Sequence, residues 1–179
     1  MNNQKFRKYF IGSVVFSSLL AVAFLAANFT FAQATDGAGE CDRDCRKALA
    51  TARAATAKYH DINEAIADGF MRVSPCVAVP GLGAMGFHYA NFARAGNPNL
   101  DAAEPEILLY IPGEDGELRL VGLEYVRFGP PTLPAPTLFG QEFQYDGARG
   151  QYALHVWTWR NNPSGMFAPF NPKLSCPAN

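Results

Sequence analysis

Residues 106–128 read EILLYIPGEDGELRLVGLEYVRF, two apolar runs joined by the turn-forming residues PGEDG at 112–116. Runs of Ile, Leu, Val and Tyr on either side of a Gly- and Pro-rich break predict a β-hairpin, with strands over 106–111 and 117–128. Outward from this hairpin, YALHVWTWR at 152–160 predicts a further strong strand and 86–92 a weaker one. Residues 129–136 hold four prolines and read as a rigid loop; residues 161–179 read as turns. Upstream, Leu49, Ala52, Thr56, Tyr59, Ile62, Ile66 and Phe70 recur at intervals of three and four, which predicts one long amphipathic helix over 42–68 with Gly69 as its cap. The fold class expected is α+β: one long N-terminal helix packed on a mostly antiparallel sheet or partial β-barrel.

The start of the chain reads as an export signal. Lys5, Arg7 and Lys8 precede an uncharged apolar stretch, and small residues follow at 30–34. This order of basic, apolar and small residues predicts a signal peptide over 1–34, a periplasmic or secreted location, and a single domain over 35–179. The apolar stretch is long enough that an uncleaved membrane anchor stays open. Lipid attachment at Cys41 is disfavoured, because the charged Glu40 and its neighbours separate it from the apolar segment. The first 34 residues hold three of the 15 basic residues and none of the 16 acidic ones, so the remainder carries 12 against 16, a net charge of −4. No basic patch stands out, and nucleic acid is excluded as a partner.

Cys41, Cys45, Cys76 and Cys176 make an even set, which in an oxidising compartment predicts two disulfides, with three connectivities open. Cys76 and Cys176 both lie beside prolines in loop-like settings and are expected to pair. Cys41 and Cys45 are one helical turn apart, so their bridge requires a distorted first turn. The same C-x-x-x-C spacing suits Cu(I), but the flanking Asp42, Arg43 and Asp44, and the absence of a preceding strand, favour the disulfide. The series Gly81, Gly83, Gly86 spells a dinucleotide-binding pattern. A proline precedes it and a strand-like segment follows, so no nucleotide cofactor is expected.

The polar residues inside the predicted strands carry the functional argument. Glu124 sits among apolar neighbours, and period-two alternation puts it on the face of Leu120, Gly122 and Val126. His155 shares its face with Ala153, Trp157 and Trp159, and His88 lies in the 86–92 strand. A mid-strand carboxylate is costly to bury alone. Two histidines are natural partners, and His-His-Glu is a ligand set for zinc or non-haem iron. With neutral imidazoles and an ionised carboxylate at pH 7, a divalent metal would bind without proton change. The three could equally form a polar pocket for a small-molecule ligand, or a buried Glu–His network without metal. In the last case the protein is a structural or interaction domain binding through the Pro-rich loop and the 161–172 turns. An open metal position would support hydrolysis, hydration or oxygen chemistry. His60 reads as exposed; Glu106 reads as a solvated strand end, with a further ligand to the site as the alternative.

The motifs MGFHY at 85–89, PEILLY at 105–110, LVGLEY at 120–125, HVW at 155–157 and NPSGMF at 162–167 resemble those of a family of uncharacterised secreted bacterial proteins. The resemblance runs from about residue 56 to the C-terminus. It implies that His88, Glu124 and His155 belong to the shared pattern, and it implies no activity.

Overall fold

The computed structural model describes residues 41–131 and 133–177; the expected signal peptide over 1–34 lies outside them. The helical region begins with α1 (Arg43–Thr56), capped by Asp42, whose side chain accepts from the Cys45 backbone N–H. A 3₁₀ turn (Ala57–His60) and α2 (Ile62–Ala67) follow. The single helix expected over 42–68 is thus in three pieces. Two side chains compete for the backbone at the break: Thr56 Oγ1 donates to the Ala52 carbonyl, and Asp61 caps α2 by accepting from the Asn63 N–H. The interruption also turns the apolar stripe. Leu49, Ala52, Thr56 and Tyr59 are buried as expected, but in α2 Ala65 faces the core while Ile66 is 55% exposed. Gly69, at φ 91°, ends the helix, with the Phe70 N–H reaching the Ala65 carbonyl.

The strands are β1 (Met71–Arg72), β2 (Val77–Val79), β3 (Gly83–Ala90), β4 (Ile107–Pro112), β5 (Leu118–Phe128), β6 (Thr137–Leu138), β7 (Gln141–Glu142), β8 (Gln144–Asp146) and β9 (Gln151–Val156), with a short helix α3 (Phe92–Ala95) after β3. The main sheet is antiparallel throughout, in the order β1-β3-β4-β5-β9-β8, with β2 beside β3; β6 and β7 pair separately. It is open: among the described residues no pairing joins β8 to β1 or β2, so it is not a closed barrel. The hairpin expected over 106–128 is β4–β5, and its turn is closed by the Gly113 N–H on the Glu117 carbonyl. The glycine series at 81–86 lies at the β2–β3 turn and along β3. A Cβ on Gly86 would meet the Tyr110 carbonyl oxygen at 2.3 Å, so this glycine lets β3 approach β4 closely.

Each face of the sheet is covered. The helices pack on one, over Leu108, Tyr110, Leu123, Tyr125, Leu154 and Val156. The opposite face holds Ala90, Ile107, Leu109, Val126 and Trp157, and the C-terminal segment crosses it. There Asn171 bridges to Ala84 and Leu174 is buried. A β-bulge and a strand end correct two expected face assignments. Leu109 opposes Gly122 but Tyr110 opposes Leu120, leaving Val121 as the extra residue. Leu120 is therefore on the helix side, away from Glu124. β9 ends at Val156, so Trp159 is also outside the alternation; its indole N–H donates to Thr56 Oγ1 on the helix side.

Two disulfides are present, Cys76–Cys176 and Cys41–Cys45, and no cysteine among the described residues is free. Cys41 precedes the helix cap and is off the helical path, which allows a Cα–Cα distance of 5.2 Å to Cys45. The pairs point to an oxidising compartment. Among the described residues no helix is long and apolar enough to cross a membrane.

Candidate metal centre

Register and alternation place the site. Glu124 on β5 stands directly opposite His155 on β9 and Ile107 on β4. His88, on β3, reaches the same place from two strands away, pairing with Leu109 across the intervening β4. All three side chains lie on the sheet face away from the helices, and all three are buried. Their donor atoms lie within 4.8 Å of one another. Glu124 divides its carboxylate between the rings: Oε2 is 3.4 Å from His88 Nε2 and Oε1 is 3.9 Å from His155 Nε2. Ligands 2.0–2.2 Å from a tetrahedral ion lie about 3.3–3.6 Å apart, so small movements complete the spacing. This group can hold a metal ion.

One assignment of the hydrogen bonds around His88 makes its Nε2 a lone pair. Ser74 Oγ lies 2.7 Å from the Pro75 carbonyl, 3.1 Å from the His88 backbone N–H and 3.0 Å from His88 Nδ1. A hydroxyl has one proton and two lone pairs. With that proton on the Pro75 carbonyl, Ser74 accepts from both the backbone N–H and an Nδ1–H. The tautomer so assigned turns an acceptor Nε2 towards the carboxylate, as outer-shell partners of metal-binding histidines do. Among the described residues Glu124 Oε2 and His155 Nε2 are buried without any hydrogen-bond partner, a combination that is costly unless something lies between them.

Burial dominates the electrostatics. It pushes the Glu124 carboxyl up to about 8 and holds His88 down at about 4 and His155 at about 3; the Arg149 charge opposes the first shift and reinforces the other two. This corrects the expectation of an ionised carboxylate at pH 7: without a cation Glu124 keeps its proton there, so metal binding must release it.

Above the three residues is a cavity of about 630 Å³. Its sheet-side lining includes Ala90, Ile107, Val126 and Ala153, Pro169 and Phe170 of the C-terminal segment contribute to the wall, and Asp146 ends β8 with Arg149 in the turn that follows. The Arg149–Asp146 pair is joined at 2.7 Å. Ser74, Arg149 and Phe170 were not singled out in the sequence. Ser74 is recognisable only from its bond to a residue 14 positions away, and the other two arrive through turns and a tail with no regular pattern.

His60 is exposed as expected, its ring 4.4 Å from that of Trp159. Glu106 departs from expectation: it is 2% exposed, and its Oε2 accepts from the Val126 N–H at 3.0 Å, where β5 runs past the start of β4. Burial raises its carboxyl from 4.5 to about 7. The folded state then holds a proton that the unfolded chain gives up above 4.5, so this group lowers stability as pH rises from 4.5 to 7, by about 3 kcal/mol in total. Glu106→Gln keeps an acceptor for Val126 and removes that slope. Urea denaturation at pH 5 and pH 8 should show the variant gaining stability relative to wild type at the higher pH only. A parallel loss at both would contradict this assignment.

Comparisons of the chain with family models, curated proteins and solved structures find no significant match.

Proposed function

We propose that the protein is an exported domain, periplasmic or secreted and of the kind its motifs resemble, that binds a zinc or iron(II) ion through His88, Glu124 and His155. The observation that carries this reading is the pair of unpartnered, buried atoms Glu124 Oε2 and His155 Nε2, facing the lone pair of His88 Nε2. With the His155 proton on Nδ1, a cation takes all three atoms as ligands at once, which no single proton can do. Two histidines and one carboxylate leave coordination positions open on the cavity side, the arrangement of catalytic zinc and of non-haem iron centres. A divalent ion there supplies Lewis acidity for hydrolysis, hydration or oxygen chemistry. The chain's residues contribute a largely apolar pocket, an oriented imidazole and a carboxylate that binds metal by losing its proton.

The second reading, a structural domain with a metal-free Glu–His network, draws on the raised Glu124 carboxyl, which could donate its proton to His88 Nε2. Titration separates the two. Metal-free protein given zinc at 100 times its dissociation constant should gain about 2.7 kcal/mol of stability. Its affinity should climb up to about tenfold per pH unit as pH rises towards 8, because one proton leaves Glu124. No gain in denaturation midpoint with zinc or iron(II) favours the network.

A further inference from the structure

We propose that the cavity takes a monoanionic amphiphile, a monocarboxylate with an apolar body, its carboxylate at the metal and its chain towards the cavity mouth. This rests on the metal-binding reading and extends it to a ligand class. The charge argument is local. A divalent ion with one carboxylate ligand leaves a net charge of +1 at the base of the cavity, beside three side chains that are themselves buried. One anionic oxygen donor neutralises it; a dianion overshoots, and a neutral donor leaves it uncompensated. Arg149 adds no net charge at the rim because Asp146 pairs with it.

The walls supply the other half. A volume of about 630 Å³ is far more than a metal and its water require, and falls within the range of pockets for organic ligands. Four cavity-lining residues are large, apolar or aromatic, and still exposed to solvent: Val73 at 45%, Phe92 at 61%, Phe128 at 54% and Tyr145 at 37%. Such residues cluster where an apolar partner completes the burial. Their separation in sequence, from β1's end to β8, shows that the fold gathers them at this one opening.

The test uses zinc-loaded protein and the series acetate, butanoate, hexanoate and octanoate, followed by calorimetry, with zinc content measured on each sample. Affinity should rise by roughly fourfold per methylene where the chain contacts the walls. Octan-1-ol should bind more weakly than octanoate, and zinc-free protein should lose the octanoate affinity. Phe128→Ser should weaken octanoate about tenfold with zinc content unchanged. If zinc is bound stoichiometrically but the four acids bind alike, or octanoate binds zinc-free protein equally well, the ligand inference falls and the metal reading stands. If neither zinc nor iron(II) binds, the metal reading fails and this inference fails with it.

Discussion

Replacing Glu124 by glutamine should lower zinc affinity by more than the roughly 10–100-fold that loss of an outer-shell partner costs, while leaving the fold in place. Glutamine matches the shape of the protonated carboxyl but has no proton to exchange for a metal and no negative charge to offer it. The variant also has a metal-free signature. With its carboxyl raised from 4.5 to about 8, folded Glu124 keeps a proton that the unfolded chain releases, so wild-type stability falls as pH rises across that window. His88 and His155, lowered from 6.5 to about 4 and 3, act in the opposite sense. The unfolded chain takes up protons that the folded rings refuse, and stability falls as pH drops below 6.5. Above pH 7, where most of the Glu106 contribution is past, the remaining decline of the metal-free protein comes mainly from Glu124 and should be largely lost in Glu124→Gln. Calorimetric titration with zinc, and denaturation from pH 7 to 9 without it, check the two effects. A variant that still binds zinc like wild type would remove Glu124 from the site.

Changing Cys76 and Cys176 together to serine should produce the largest loss of stability of any substitution considered. The bridge spans 100 residues, for which the chain-entropy argument gives about 4.7 kcal/mol. The Cys41–Cys45 bridge closes a separation of four and should matter far less. The long bridge has a functional consequence as well. It ties the C-terminal segment to the start of β2, and that segment carries Pro169 and Phe170, part of the cavity wall. Losing it should loosen octanoate before zinc, since all three candidate metal ligands are on strands of the sheet. Urea denaturation of the double variant measures the first effect; a change below 1 kcal/mol would contradict it.

The parts of this architecture visible in the sequence are those with short-range periodicity. The 106–128 hairpin announces itself through two apolar runs and a Gly/Pro turn, and Glu124 and His155 stand out because each interrupts an apolar pattern. What escaped is set by single local competitions or by distant contacts. Asp61 makes as good a cap as a helix residue, so the break in the helix and the exchange of Ile66 for Ala65 in the core are invisible to a 3.6-residue period. The bulge at Val121 moves Leu120 to the other face, and no propensity marks it. Glu106 resembles a solvated strand end until β5 is seen to extend beyond β4 and supply the Val126 N–H. Ser74 earns its place only through the His88 ring.

The central claim is that the His88–Glu124–His155 group is a metal centre. Elemental analysis of protein purified from its own source without chelators tests it most directly. About one equivalent of zinc or iron per chain, lost in Glu124→Gln, is the predicted result. Metal-free protein that also fails to take up added zinc or iron(II) at pH 8 would contradict it.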